Sequence, residues 1–451
     1  MKKFRQWYWF LSSMVKRYIW VIVISAGIGI VFTFNFETII QILPKSKTIH
    51  IGRVGSYTLE QLPDDIQALV SDGLTEVNNE GIAQPDIAQT WNVDNDGTVY
   101  RFTINPETRW NDGSELTTAD IDLNFQDVEV NKDGPYELSF QLTEPFAPFP
   151  VILNQPLFKR QQVRSFLVFR RTNILGTGEY IIDKIRLVNG VISEMRLSGG
   201  NDRRLYRFYS TEEEAITSFK QGKVDRLENI SNPRDLSDWS NVVIEETIET
   251  DEYVAAFFNT THPTFSSKAV RQALAYAIPK NADPGMRALG PVVPTSFAYN
   301  PQIKPYDFSP SQASELMEGE FDSNEPLPTI EITTTAAYED LADIIVAAWN
   351  ELGFNTKLKI VNFPDTNDFE VLLIGQRIPA DPDQYNLWHS TQATNFTHYN
   401  SPRVDKLLED GRKTLDEEER TLIYQDFQRF LLEDVPAVFL EHLVTYTVAR
   451  R

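Results

Sequence analysis

A strand–helix–strand pattern in the second half of the chain constrains the fold more than any other feature. Residues 329–333 alternate in polarity as a strand does, and a helical stretch follows with Leu341 and Ile345 on its apolar face. Gly353 lies where a helix ends, and a second strand-like run covers residues 356–361. Because strands joined through a helix lie parallel in one sheet, the pattern predicts an α/β fold with partly parallel sheet.

Turn and cap signals divide the rest of the chain into short elements. Residues 95–97, Asn-Asp-Gly, separate two alternating runs and predict a β-hairpin. Thr117 with Asp120 three residues later predicts a helix start. Residues 211–221 and 267–278 carry helical periodicity. We therefore expect strands to dominate the first half of the chain and helices to alternate with strands in the second.

The N-terminal segment differs in composition from the rest. Five Lys or Arg residues and no acidic residue precede an uncharged run at residues 18–36. Such a run, about 28 Å long as a helix, matches the hydrocarbon core of a bilayer, and the positive flank favours a cytoplasmic N-terminus. We expect an uncleaved signal anchor in the lipid bilayer, with everything after Glu37 outside the cytoplasm. The alternative is a signal peptide cleaved at residues 25–27, in the middle of the run.

Composition excludes several function classes. The net charge of −22 argues against nucleic acid and anionic lipid surfaces as partners. The absence of cysteine excludes disulfides, thiolate metal sites and a cysteine nucleophile. No nucleophile elbow, phosphate loop, zinc motif or dinucleotide fingerprint is present. We expect no catalytic residue, no cofactor and no metal; the alternative is a metal site at His389 and His398, which one loop could bring together.

One loop has the composition of a binding site. It follows a strand-like run at residues 369–374, and ligands bind beyond the carboxyl ends of strands in open parallel sheets. A carboxylate in a partly apolar cleft suits an ammonium group, and aromatic walls add apolar and cation–π contact. The loop therefore predicts a site for an amine, with a solvated Asp-Pro turn as the alternative. Its relevant residues are Arg377, Asp381, Asp383, Tyr385 and Trp388.

Several separated blocks, in a fixed order, carry a resemblance to a known family. They are residues 85–91 (PDIAQTW), 110–120 (WNDGSELTTAD), 176–180 (GTGEY), 222–225 (GKVD), 258–259 (FN), 270–278 (VRQALAYAI), 381–383 (DPD), Asn395, 401–408 (SPRVDKLL) and 419–420 (ER). With these blocks the chain resembles family 5 of the extracellular solute-binding proteins. That family comprises the oligopeptide- and dipeptide-binding receptors of ABC importers.

The resemblance implies a bilobed fold of the periplasmic-binding-protein type, with mixed sheets and a hinge near residues 250–255. The expected domains begin with a cytoplasmic stub and transmembrane signal anchor. A first lobe follows with a shortened middle subdomain, then a second lobe that holds the strand–helix–strand unit, and finally a return to the first lobe. The expected boundaries are 1–45 for the anchor, 46–250 for the first lobe, about 75–165 for its middle subdomain, 251–434 for the second lobe and 435–451 for the return.

The resemblance also implies site residues. In peptide-binding members an aspartate of this region pairs with the ligand's N-terminal ammonium, a role that carries over to Asp381 or Asp383. We expect Asp381 to make this contact and Arg377 to meet a ligand carboxylate. The same cleft is expected to contain Tyr385, Trp388 and Asn395.

The expected function is capture of peptides for an ABC permease by a single-pass protein of the cell membrane whose large domain is extracytoplasmic. Two alternatives remain open. One is a receptor for a non-peptide solute such as a nickel chelate, an oligosaccharide or an opine. The other is a sensory or structural membrane protein that keeps the fold, since one fold hosts many functions.

Overall fold

The protein is described here by a computed structural model. The membrane helix predicted at residues 18–36 lies mostly outside the described residues, although residues 18–21 and 25 are helical. Within the described part, no helix combines the length and apolar character that a bilayer crossing requires. The described residues are 18–21, 25, 47–58, 61–165, 169–200, 202–280, 286–321 and 326–451.

The strands of the described part form one ten-stranded sheet, one four-stranded sheet and two two-stranded sheets. Their bounds are β1 Lys47–Val54, β2 Thr75–Val77, β3 Ala83–Pro85, β4 Ala88–Asp94, β5 Val99–Ile104, β6 Val128–Lys132, β7 Glu137–Leu142, β8 Lys159–Ser165, β9 Phe169–Leu175, β10 Tyr180–Val188, β11 Val191–Gly199, β12 Asp202–Tyr209, β13 Arg226–Ile230, β14 Val242–Phe258, β15 Thr329–Thr334, β16 Asn355–Ile360, β17 Val371–Arg377 and β18 Ala437–Arg450.

The α-helices of the same residues range from single turns to an 18-residue helix. Their bounds are α1 Asp64–Val70, α2 Phe149–Ile152, α3 Glu212–Lys220, α4 Pro263–Ser266, α5 Lys268–Ala277, α6 Pro310–Met317, α7 Glu339–Glu351, α8 Tyr385–Trp388, α9 Pro402–Lys413 and α10 Glu417–Asp434.

The largest sheet is mixed, with strand order β10-β11-β12-β1-β13-β18-β14-β17-β15-β16. The strand–helix–strand prediction is confirmed, because β15 pairs in parallel with β16 after α7, and β17 pairs in parallel with β15 on the other side. Helix α7 buries Ala342, Ile345 and Trp349 against this part of the sheet, as its apolar periodicity predicts. The largest sheet is therefore mixed and partly parallel, as the strand–helix–strand pattern predicts.

A second, antiparallel sheet of order β4-β5-β7-β6 has a core of its own. Tyr100, Phe102 and Phe140 are buried in it; the rings of Phe102 and Phe140 meet edge to face, and the Tyr100 ring lies 5.0 Å from that of Phe149 in α2. The hairpin predicted at residues 95–97 joins β4 to β5, and Asp96 there has a φ of 55°. This sheet lies within the stretch expected to form a middle subdomain.

Two long strands, β14 and β18, run side by side through two hydrophobic regions of the large sheet. At one end Val242 and Val448 pack with α3 and β13; we call this half the first lobe. At the other end the strands enter a core with α5, α7 and α10, which we call the second lobe. The antiparallel register shifts between Glu249 and Tyr253, so residues 250–252 form an irregularity where the strands leave one core for the other.

Helices α9 and α10 pack unusually closely in the second lobe. A methyl group added at Gly411 of α9 would come within 2.6 Å of the Tyr424 ring of α10. The small residue therefore allows the two backbones to approach, and Arg420 of α10 donates from Nε to the Gly411 carbonyl oxygen at 2.9 Å. This contact aims the rest of the guanidinium at the loop after β17.

Candidate functional site

A cavity of about 690 Å³ opens between the region of the four-stranded sheet and the second lobe, and we call it the cleft cavity. On one side its lining comes from segments 78–81 and 146–155, which adjoin the four-stranded sheet. Segments 293–296 and 377–386 of the second lobe supply most of the other side. Asp251, on the irregular part of β14, also lines it. Its volume lies within the range of small-molecule sites, roughly 300 to 1,000 Å³.

Direct contacts join the walls of the cleft cavity. The backbone N–H of Phe297 donates to the Glu80 carbonyl oxygen at 3.0 Å, and the N–H of Ala147 donates to the Arg412 carbonyl oxygen at 2.7 Å. Gly81 has a φ of 84°, and a methyl group there would come within 2.2 Å of the Ala380 carbonyl oxygen. A glycine is therefore required at this point of close approach.

Asp381 forms a buried ion pair with Arg420. The Nη2 and Nη1 atoms of Arg420 donate to Oδ1 and Oδ2 of Asp381 at 2.8 and 3.1 Å, and only 5% of Asp381 is exposed. Burial alone would lower the pKa of Arg420, but the Asp381 charge and hydrogen bonds outweigh burial and raise that pKa. A bidentate partner thus neutralises the Asp381 charge in this structure, and the contact of Asp381 with a ligand ammonium stays a prediction.

Asp383 is held in the same way by Arg412. Arg412 donates from Nε to Asp383 Oδ2 at 2.8 Å, and the Tyr385 N–H donates to Asp383 Oδ1 at 3.1 Å. Burial raises the pKa of the Asp383 carboxyl, while the Arg412 charge opposes that rise. The Arg412 guanidinium also lies 4.0 Å from the centre of the Tyr385 ring. Both aspartates line the cavity, but their charges serve to fix the loop.

Trp388 and Asn395 do not line the cleft cavity as predicted. Trp388 has no exposed surface and packs between Phe257 and Phe439 in the second-lobe core. The Asn395 side chain donates to the carbonyl oxygens of His389 and Tyr399 and is buried. The tryptophan is apolar enough to fill the core, and the asparagine satisfies backbone carbonyls there, so both have structural roles.

Tyr385 is not among the residues that line the cleft cavity; its ring stacks on His389, with ring centres 4.1 Å apart, and contacts the Arg412 guanidinium. His389 is 4% exposed, and its Nδ1 lies 2.9 Å from the Thr391 hydroxyl. Among the described residues, no group of three or more His, Cys, Asp or Glu side chains is placed to hold a metal ion.

Arg377 lies at the end of β17 with a mostly exposed guanidinium. Its Nη2 donates to Asp64 Oδ2 of α1 at 2.7 Å, and Asp251 Oδ2 lies 3.9 Å from the same nitrogen. Among the predicted site residues, Arg377 lines the cavity and also has more N–H donors than its contacts with Asp64 and Asp251 use, since arginine carries five N–H groups.

Sequence reasoning missed Asp251, Arg412 and Arg420. Asp251 lies in the stretch predicted as a hinge, where no side chain was assigned a binding role. Arg412 and Arg420 are eight residues apart on consecutive helices, and each pairs with one aspartate of the Asp-Pro-Asp sequence. Two arginines, one near the end of a helix and one near the start of the next, match two aspartates in one loop, and this is the signal that could have identified these pairs.

Replacing Asp381 by Asn tests the buried pair. The change leaves Arg420 buried without a counter-charge, so we expect a loss of about 3–5 kcal/mol in the free energy of unfolding. The matched control is Asp64→Asn, which breaks an arginine pair whose side chains are 62% and 65% exposed. That variant should lose less than about 1 kcal/mol. Urea unfolding measures the free energy of unfolding of both variants. Equal losses would show that the buried pair of Asp381 stabilises the protein no more than the exposed pair of Asp64 does.

Comparison with known proteins gives a family. The family described as bacterial extracellular solute-binding proteins, family 5 Middle, matches residues 83–398. The oligopeptide-binding protein AppA of Bacillus subtilis is 20% identical over 453 residues, covering 85% of this chain and 82% of AppA. The periplasmic oligopeptide-binding protein OppA of Escherichia coli is 22% identical over 467 residues, covering 87% of this chain and 86% of OppA.

A solved structure shares the fold. NikZ from Campylobacter jejuni, solved in complex with Ni(L-His), is 23% identical and superposes with a TM-score of 0.71 over 90% of this chain and 94% of NikZ. The mixed sheets, the cavity and the ordered sequence blocks agree with these likenesses. The chain belongs to family 5 of the bacterial extracellular solute-binding proteins.

Proposed function

We propose that this protein is a membrane-anchored receptor that captures peptides in the cleft cavity for an ABC permease, and that it is not an enzyme. The observation that carries the proposal is the cavity itself, which is bounded by the region of the four-stranded sheet and by the second lobe and is lined by carboxamide and apolar side chains together. Several relatives are named for peptide binding, which supports this ligand class.

The chemistry of the lining suits a peptide backbone. Each peptide unit needs one hydrogen-bond acceptor and one donor when it leaves water. Asn79 and Asn154 line the cavity, and neither side chain has a protein partner among the described residues. A carboxamide offers two donors and an acceptor, so it can pair with either part of a peptide unit. Val151 and Ile152 add apolar surface for ligand side chains.

A smaller side cavity of about 210 Å³ adjoins the cleft cavity and shares Gly81 and Asp381 with it. Trp91, Tyr100 and Phe297 line this side cavity. We infer that it receives one apolar ligand side chain, because aromatic walls contribute large apolar contact areas.

Hinge closure completes the proposal. Strands β14 and β18 connect the lobes, and residues 250–252 interrupt their ladder at the passage between the two cores. A break in a strand ladder is a place where the backbone bends at the cost of few hydrogen bonds. We infer that the lobes open about this point and close on a ligand.

Peptide capture is tested with native mass spectrometry of the full chain and a pool of short peptides. We expect retained peptides, and at least a tenfold weaker retention by Asn154→Trp, because the indole occupies part of the cavity without removing a core side chain. The matched control is Asn131→Trp, another exposed asparagine, on the edge strand β6 and outside the cavity. Equal retention by Asn154→Trp and the wild type would exclude the cavity as the site.

The membrane anchor is tested separately. Five positive charges ahead of the uncharged run at residues 18–36 support an N-terminus in the cytoplasm and a large domain outside. Protease added to intact cells should therefore digest the large domain while a control cytoplasmic protein survives. A protease-resistant full-length chain, or a secreted form that begins near Phe36, would contradict the anchor.

A further inference from the structure

One region of the first-lobe half of the large sheet is basic, although the chain as a whole is acidic. Residues 159–210 contain eleven Lys or Arg residues and four Asp or Glu residues, whereas the whole chain carries a net charge of −22. Strands β10, β11 and β12 lie within this stretch and follow one another from the edge of the ten-stranded sheet. Positive charge is therefore concentrated in one region of a negatively charged protein.

The register of these strands places basic side chains on one face of the sheet. Lys184 of β10 lies directly opposite Arg196 of β11. Arg186 of β10 and Arg207 of β12 both lie opposite Glu194 of β11. Directly opposite residues of antiparallel strands point to the same side of a sheet, and so do alternate residues of one strand. We call the resulting set the basic face; it consists of Lys184, Arg186, Arg196, Arg203 and Arg207.

The basic face is open to solvent, whereas the other side of the same strands is buried. Met195, Leu197 and Tyr206 belong to a core cluster with α1 on that other side. Four members of the basic face are exposed, namely Lys184, Arg186, Arg196 and Arg203. These charged groups are therefore accessible to a partner outside the protein.

Two carboxylates lie among the basic side chains. Glu194 accepts a hydrogen bond from Arg207 Nε at 3.1 Å, and its other oxygen lies 3.8 Å from Arg186 Nη1. Asp183 accepts a hydrogen bond from the Ser198 hydroxyl at 2.9 Å. With five basic and two acidic side chains, this surface keeps a positive excess.

Lys184 and Arg196 form a like-charged pair across two strands. Within the described part of the chain, neither side chain forms an ion pair, and the two residues lie directly opposite each other. Like charges in this arrangement destabilise a strand pair. An anionic partner would supply the counter-charge that the protein itself does not provide here.

Exposed apolar side chains adjoin the basic face. Leu187 and Val188, at the tip of the β10–β11 hairpin, are 48% and 50% exposed. Ile181 of β10 is also exposed. Basic side chains next to exposed apolar ones are typical of surfaces that bind the boundary between lipid headgroups and acyl chains. The combination favours a lipid surface over a soluble anion, which would need the positive charge alone.

The chain enters the first lobe beside the basic face. Strand β1 begins at Lys47, which pairs with Asp202, the residue before Arg203. Ten residues, 37–46, separate β1 from the uncharged run that we propose as the membrane anchor. They span at most about 36 Å when fully extended. The anchor therefore keeps the basic face close to the bilayer, and such tethering lets a weak attraction suffice.

We propose that the basic face docks on anionic phospholipid headgroups of the bilayer that holds the anchor. This inference rests on the anchor of the proposed function. The negative charge of the whole chain does not prevent docking, because salt limits the reach of each charge to about 8–10 Å. Docking holds the first lobe on the membrane and leaves the second lobe, at the other end of the sheet, free to move.

The test places the full chain in nanodiscs of neutral phosphatidylcholine or of phosphatidylcholine mixed with anionic phosphatidylglycerol. Since the chain has no cysteine, Ser210→Cys carries a donor dye at an exposed position after β12, and labelled headgroups carry the acceptor. We expect more energy transfer in the anionic discs than in the neutral ones. High salt should remove this excess, because it screens the attraction.

The double variant Lys184→Glu/Arg196→Glu tests the basic face itself. It replaces one like-charged pair by another, so the fold should change little. One basic side chain near an anionic surface is worth about fivefold in the ratio of docked to free lobe, so we expect a loss of at least about 25-fold. The matched control is Lys357→Glu/Lys359→Glu, which makes the same charge change on the edge strand β16 and should keep the excess transfer.

The single variant Lys184→Glu separates docking from stability. It turns the like-charged pair with Arg196 into an attractive one, so we expect a higher melting temperature together with weaker docking. A role of Lys184 in folding alone would leave energy transfer in the anionic discs unchanged, and that result would overturn the proposal.

The outcomes separate docking from the anchor. If the full chain stays in the nanodiscs and energy transfer is equal in neutral and anionic discs, the docking fails and the anchor stands. Equal losses in the two double variants would also overturn the docking. If the full chain does not stay in the nanodiscs, the anchor fails and the docking fails with it.

Discussion

The antiparallel pairing of β14 with β18 is the constraint on which the rest of the structure depends. The two strands pair from Val242 with Arg450 to Glu249 with Leu443, and again from Tyr253 with His442 to Phe257 with Ala437. Beyond the irregularity, alternate β14 residues enter the two hydrophobic clusters of the second lobe, so the sheet is buried on both faces. The interruption between these paired stretches is where Asp251 reaches the cleft and where we propose that the lobes move.

The charged groups around the cleft divide into two kinds according to burial. The carboxylates of Asp381 and Asp383 are buried and matched one to one by Arg420 and Arg412, so removing either arginine would leave a costly unpaired charge. Their effect is to hold the loop after β17 in one conformation against α9 and α10. The contacts of Arg377 with Asp64 and Asp251 are exposed to solvent, so they stabilise the structure far less.

The sequence predicted the elements whose signals are local. The periodicity of α7 and the strands on either side of it specified a parallel unit, and Asn-Asp-Gly at residues 95–97 specified a hairpin, because such patterns act over neighbouring residues. The site was harder to predict because its chemistry depends on distant pairings. The sequence gives no sign of a partner for Asp381, whereas in the structure Arg420, 39 residues away, neutralises its carboxylate. The sequence predicts that Trp388 lines the cleft, whereas in the structure the core encloses it. No sequence pattern marks Asp251 as a residue of the cleft.

Closure of the two lobes on a ligand is tested by the distance between two spin labels, one on each lobe. The chain contains no cysteine, so Gln221→Cys on the first lobe and Glu318→Cys on the second provide two labels at exposed positions. Double electron–electron resonance on the doubly labelled full chain compares the free protein with protein saturated by its tightest-binding peptide. Closure should appear as a ligand-dependent shift to a single, narrower distance distribution. Identical distributions at a ligand concentration that calorimetry shows to be saturating would contradict it.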